Sequence, residues 1–163
     1  MSARHAGGGP SMTFDLPASP GTYILVLRLH WESVIDVGGL GELTFPAGTC
    51  LYCGSSLGSG GLAARVAHHA RFPERPRWHI DYLRFAAVPE EVWYLESGER
   101  LEHEWAGILS GIEGVEQAAP GFGSSDCGCV THLFRTDRPE IFEIFSGLAG
   151  SGIRRSVAVR LDD

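Results

Sequence analysis

The chain has 163 residues, 44% of them hydrophobic and 22 of them glycine, which suits one soluble domain with a sizeable core and many turns. No apolar run approaches the roughly 18–20 residues a membrane-spanning helix needs. The net charge of −7 argues against a strong non-specific grip on nucleic acid, where phosphate contacts dominate affinity.

The segment from Met1 to Pro20 lacks the apolar centre of a signal peptide and reads as a flexible tail. Residues 21–163 then form a single domain, with the cytoplasm as default location. Four cysteines without an export signal argue against a disulfide framework. All 13 basic residues are arginine, and five of them (Arg65, Arg71, Arg75, Arg77 and Arg84) fall between positions 65 and 84. With Glu74 and Asp81 subtracted, that window carries +3 before its three histidines are counted. It reads either as a solvated helix and loop or as a nucleic-acid patch, for which Arg71, Arg75, Arg77 and His79 are the candidates.

In chain order, Gly21–Trp31 is rich in branched and aromatic residues and predicts a strand, which residues 34–37 extend or pair with. Glu42–Phe45 and Thr49–Gly54 are short strands between tight turns, giving an antiparallel meander of about three strands. A helix follows from about Gly60 to Arg71, with Leu62, Ala63, Val66, Ala67 and Ala70 as its apolar stripe and Pro73 and Pro76 as its stop. Trp78–Phe85 predicts a short helix burying Trp78, Ile80 or Leu83, and Glu91–Leu95 a strand. Gly98–Ser110 gives the clearest helix, with Leu101, Trp105, Ile108 and Leu109 on one face. Val115–Gln117 and Val130–Phe134 are further strands around a Gly/Ser/Asp loop. Asp137-Arg138-Pro139-Glu140 resembles a capping box opening a helix with Ile141, Phe142, Phe145 and Leu148 inward, and Ser156–Leu161 is a last strand. The fold class is α/β of the α+β kind: a small, mainly antiparallel sheet flanked by helices.

Three groups of residues can carry chemistry. The first joins Tyr23, Tyr52, Arg65 and His69 to a carboxylate. Arg65 and His69 are four apart and share a helix face, and a strand-end tyrosine beside a guanidinium suits phosphate binding. Phosphodiester cleavage needs a base for water, positive charge for the phosphorane and, usually, a carboxylate-held metal. Glu102 and Glu104 flank opposite edges of the apolar stripe on their helix, so periodicity does not choose between them. The second group is Trp78-His79-Ile80-Asp81-Tyr82-Leu83. His79 and Asp81 would point about 200° apart on a helix, so Asp81 reads as a capping or structural residue. The third group is Asp126, Cys127, Cys129 and His132. It reads as a structural zinc site, a loop lining the active site, plain buried thiols or a cysteine nucleophile. Cys50-x2-Cys53 is a weak partner half-site, because residues three apart on a strand face opposite ways.

Gly21-Thr22-Tyr23, Tyr52-Cys53-Gly54-Ser55, Leu62-x2-Arg65-x3-His69, Trp78 to Leu83, Glu102-x-Glu104-x-Ala106 and Gly121-Phe122-Gly123-x-Ser125-Asp126-Cys127-x-Cys129-x2-His132 occur in that order. Together they resemble the GIY-YIG endonuclease superfamily, in the branch filed as domain of unknown function 123, over about residues 20–135. The resemblance implies a GIY-YIG-like domain: a three-stranded antiparallel core, with extra short strands, between helices. It implies a metal-dependent DNA endonuclease of DNA repair, with a catalytically inactive nucleic-acid-binding or repair-partner module as the alternative. Tyr23 would help activate water, Tyr52 position it or the phosphate, Arg65 stabilise the pentavalent phosphate and His69 support it. The resemblance selects Glu104, with Glu102 in reserve, to hold Mg²⁺ or Mn²⁺. The implied partners are branched or damaged DNA and a repair glycosylase. Thr22 and Cys53 depart from the motif centres. The 28 residues between Tyr23 and Tyr52 require an extra pair of short strands.

Overall fold

Three nine-residue strands form the middle of the fold, and their composition explains why. The computed structural model describes residues 11–123, 129 and 131–161. After a two-residue strand β1 (Met12–Thr13) come β2 (Gly21–Leu29), the short β3 (Ser33–Asp36) and β4 (Glu42–Phe45), and β5 (Gly48–Ser56). Helices α1 (Gly61–Ala70) and α2 (His79–Leu83) precede β6 (Val88–Glu96) and α3 (Glu102–Ser110). The chain ends through β7 (Val115–Gln117), β8 (Leu133–Thr136), α4 (Ile141–Ala149), β9 (Arg154–Val157) and β10 (Val159–Arg160). Six strands make one antiparallel sheet in the order β7-β8-β5-β2-β6-β9. Strand β2 is central, and its near-continuous apolar run is what a strand covered on both faces needs.

The two sheet faces follow from strand alternation. Tyr23, Leu25, Leu27 and Leu29 of β2 share a core with Cys50, Val92 and Tyr94, under Leu62 and Val66 of α1 and Ile80 and Leu83 of α2. Ile24 and Val26 join Leu51, Cys53 and Trp93 on the other face, beneath Trp105 and Leu109 of α3 and Phe145 of α4. Cys50 and Cys53 therefore lie in different cores, as their spacing on one strand requires. Burial raises both thiol pKa values, that of Cys50 to about 12.

Several details differ from the sequence expectation. Residues 42–45 do not continue the meander. They pair with β3 as a separate hairpin, and β5 returns directly alongside β2. This hairpin is the extra pair of short strands inserted between the two tyrosines. Strand β6 extends back past Pro89 because its pairing with β2 skips Glu90 between Val26 and Leu27, and a bulge tolerates a residue without an N–H. The bulged Glu90 offers its carbonyl to Ala158 N at 2.9 Å. The capping box at Asp137 is not formed. Helix α4 starts at Ile141 without a side-chain cap, while the Asp137 carboxylate accepts from Arg135 at 3.0–3.1 Å. Helix α3 starts at Glu102, after Leu101 N has bonded to Thr22 Oγ1 at 3.1 Å.

Residues 11–20, expected within a flexible tail, are a strap. Phe14 and Leu16 pack on the core, and Met12–Thr13 pair with Val159–Arg160. The carbonyls of Pro17 and Ser19 accept from Ala63 N and Leu62 N, each at 2.9 Å. Helix α1 has no side-chain cap, so this backbone satisfies amides its first turn leaves unpaired. At the other end Arg84 is fully buried. It donates to the carbonyls of His69 (2.9 Å), Ala70 (3.1 Å) and Ala87 (2.8 Å), binding the negative end of the helix. Arg84, counted in the arginine-rich window, is thus a buried residue and not a surface one.

Candidate active site

The register of β2 and β5 brings the tyrosines together. Tyr23 lies opposite Gly54 and Leu25 opposite Tyr52, so both phenols rise from one face as diagonal neighbours. The glycine of the second motif has a steric purpose. A Cβ at Gly54 would meet Tyr23 Cζ at 2.6 Å, so only a bare backbone lets the phenol lie across it. Gly54→Ala is therefore expected to cost about 1–3 kcal/mol as an overpacked site, read as a lower urea midpoint. Gly39→Ala is the control, since a Cβ there meets nothing within 4 Å.

Helix α1 lies over this face and supplies the next two groups. His69 Nε2 is 2.8 Å from Tyr23 Oη, and its ring meets Tyr52 edge-on with centroids 5.9 Å apart. Burial, then the charges of His68, Arg65 and Arg84, lower the His69 pKa to about 3, so the ring is neutral at physiological pH. Its Nδ1 is buried with no hydrogen-bond partner among the described residues. Leaving such an atom unpaired costs about 1–3 kcal/mol, a cost typical of functional positions. One turn earlier, Arg65 donates from Nη1 to Ser55 O at 3.4 Å and sets its guanidinium 4.9 Å from the Trp78 ring centre. Trp78, expected in the core, is 38% exposed and borders both α1 histidines. Burial is the main cause that raises both phenol pKa values; the Glu102 charge adds to it, and Arg65 opposes it.

The carboxylate comes from α3. Glu102, in its first turn, is 13% exposed and places Oε2 3.7 Å from His132 Nδ1. Glu104 is exposed. Glu102 thus lies near enough for its charge to act on both phenols, whereas Glu104 is turned to solvent.

Arg71, Arg75 and Arg77 line one open groove of about 690 Å³ with His68, Phe72 and Glu74, beside the cluster. His79 does not join them. Its Nδ1 accepts from Gly123 N at 2.8 Å and its ring packs on Phe122, which fastens the loop to α2. That loop closes over Tyr52, since a Cβ at Gly123 would lie 2.9 Å from Tyr52 Cε1. Burial lowers the His79 pKa. Asp81 is buried and accepts from Arg77 N at 2.8 Å and Trp78 N at 3.1 Å, the capping role read from sequence. Asp126 and Cys127 lie outside the described residues. Cys129 and His132 come close to His103, a residue the sequence reading did not single out. Its one signal was its place beside Glu102.

Among the described residues, no helix is long and apolar enough to cross a membrane. A family model, the domain of unknown function DUF123, matches residues 22–150. No curated protein and no solved structure matches the chain.

Proposed function

The chain belongs to the DUF123 family, and from that membership and its cluster of phenol, imidazole, guanidinium and carboxylate we propose that it is a GIY-YIG-type endonuclease hydrolysing DNA phosphodiester bonds, in repair. The observation that carries the reading is the 2.8 Å bond between Tyr23 Oη and a neutral His69, with Arg65 and Glu102 around it. The Tyr23 hydroxyl hydrogen is held by neutral Nε2, which turns an oxygen lone pair toward the attacking water and orients it. Raised phenol pKa values keep both tyrosines protonated at neutral pH. Tyr52 orients water or phosphate, and Arg65 lies ready to offset charge on the phosphorane oxygens. The single, partly exposed Glu102 carboxylate suits Mg²⁺ or Mn²⁺, hard cations that keep several waters and bind through one or two carboxylates. Such an ion, when bound, would supply charge compensation for the leaving oxygen.

The groove of Arg71, Arg75 and Arg77, with half-exposed Trp78 as a stacking surface, supports the track for the nucleic-acid backbone. It also favours a second reading, a non-cutting nucleic-acid-binding module that serves a repair glycosylase.

The test is endpoint cleavage of duplex, nicked, flapped and branched DNA with Mg²⁺ or Mn²⁺, wild type beside Tyr23→Phe. Wild type is expected to cut, and Tyr23→Phe to cut about 10²–10⁴-fold more slowly. Equal nicking by both would overturn the assignment of Tyr23. Cleavage by neither, with salt-sensitive binding lost in the Arg71, Arg75 and Arg77 to Ala variant, would establish the second reading.

A further inference from the structure

A second group of donor atoms lies behind Glu102. His103 in the first turn of α3, Cys129, and His132 just before β8 place one ligand atom each within 4.8 Å of one another. His103 Nδ1 and Cys129 Sγ are 3.3 Å apart, and the two imidazoles have centroids 5.5 Å apart. Tetrahedral zinc with ordinary Zn–N and Zn–S bonds requires donor separations of about 3.3–3.6 Å, so small side-chain rotations close the set. One imidazole is exposed, the thiol is intermediate and the other imidazole is buried, so an ion has a route in from solvent.

We propose that His103, Cys129 and His132 form a site for a borderline-soft divalent cation of the zinc class. The donor chemistry selects that class, since thiolate and imidazole favour zinc over the hard cations that a carboxylate prefers. Glu102 provides independent support. With Oε2 3.7 Å from His132 Nδ1, it is the kind of neighbouring carboxylate that imidazole ligands of zinc keep beside them. The site differs from the Mg²⁺ or Mn²⁺ position in its donors but shares Glu102 as a neighbour. Metal binding would tie the start of α3 to the segment entering β8, and so fix the carboxylate that the proposed cleavage needs.

The experiment uses the full chain, stripped of metal by chelator and dialysis, and does not depend on cleavage. Zn²⁺ is titrated calorimetrically, and Co²⁺ serves as the spectroscopic probe. Wild type is expected to take one equivalent and to give a thiolate-to-Co²⁺ charge-transfer band with tetrahedral ligand-field absorption. Cys129→Ser should lose the charge-transfer band, and His103→Gln, at an exposed position that leaves folding intact, should lose tight binding. Glu102→Gln should still bind, about 10–100-fold more weakly. No binding by wild type would overturn the proposal. So would Zn²⁺ affinity and the Co²⁺ spectrum surviving unchanged in both Cys129→Ser and His103→Gln.

Discussion

Glu102→Gln is expected to lower metal-dependent DNA cleavage by about 10²–10³-fold, whereas Glu104→Gln should cut at essentially the wild-type rate. The two residues are two positions apart in sequence and opposite in environment: Glu102 is 13% exposed beside His132, while Glu104 faces solvent. Both substitutions keep side-chain volume. Glu102 pairs with exposed Arg100 at 3.3 Å and with His132 at 3.7 Å; a glutamine amide oxygen can still accept from Arg100, so the variant should stay folded. Matched single-turnover rates with Mg²⁺ provide the check. A loss confined to Glu104→Gln would return the carboxylate role to the residue selected by the motif resemblance.

Acidification should destabilise the fold through His69 before any carboxylate is protonated. Its pKa is lowered from 6.5 to about 3, so the unfolded chain takes up the proton first. The stabilisation is therefore complete above about pH 6.5 and is lost progressively as the pH falls toward 3. The slope from this one group approaches about 1.4 kcal/mol per pH unit between those limits. His79 and His132 have lowered pKa values and add to the same limb. Urea denaturation at pH 7 and pH 5 should show the decline, and His69→Gln, which keeps an acceptor for Tyr23 but cannot titrate, should flatten it. An equal pH 7-to-5 loss in His69→Gln would place the acid sensitivity elsewhere.

How much of this was legible depended on the range of the information. The first long strand was visible almost whole and the other two only as the shorter Thr49–Gly54 and Glu91–Leu95, because branched and aromatic runs bounded by turns report a buried sheet locally; the tyrosine, arginine and histidine positions followed from motif order. Glu102 and Glu104 could not be separated by periodicity, since the stripe leaves them on opposite edges, and the choice depends on where α3 begins. That start is set by Thr22, 79 residues earlier, holding Leu101 N. The pairing of His103 with Cys129 spans 26 residues and has no local signature. Trp78 looked like a core residue because hydrophobicity does not distinguish a buried ring from one stacked under a guanidinium at the rim. Asp137 had the spacing of a cap, but a nearby guanidinium took its carboxylate.

The strap at residues 11–20 separates two ideas of what the domain is. The unit shared with relatives runs from 22 to 150. The unit that folds is larger, because α1 draws the partners of two leading amides from Pro17 and Ser19, while β6 gains its outer neighbour only at Arg154–Val157. Inheritance and mechanics therefore draw different borders on this chain. A fragment cut at the inherited border would leave loose the helix that aims Arg65 and His69, with every residue of the cluster still present.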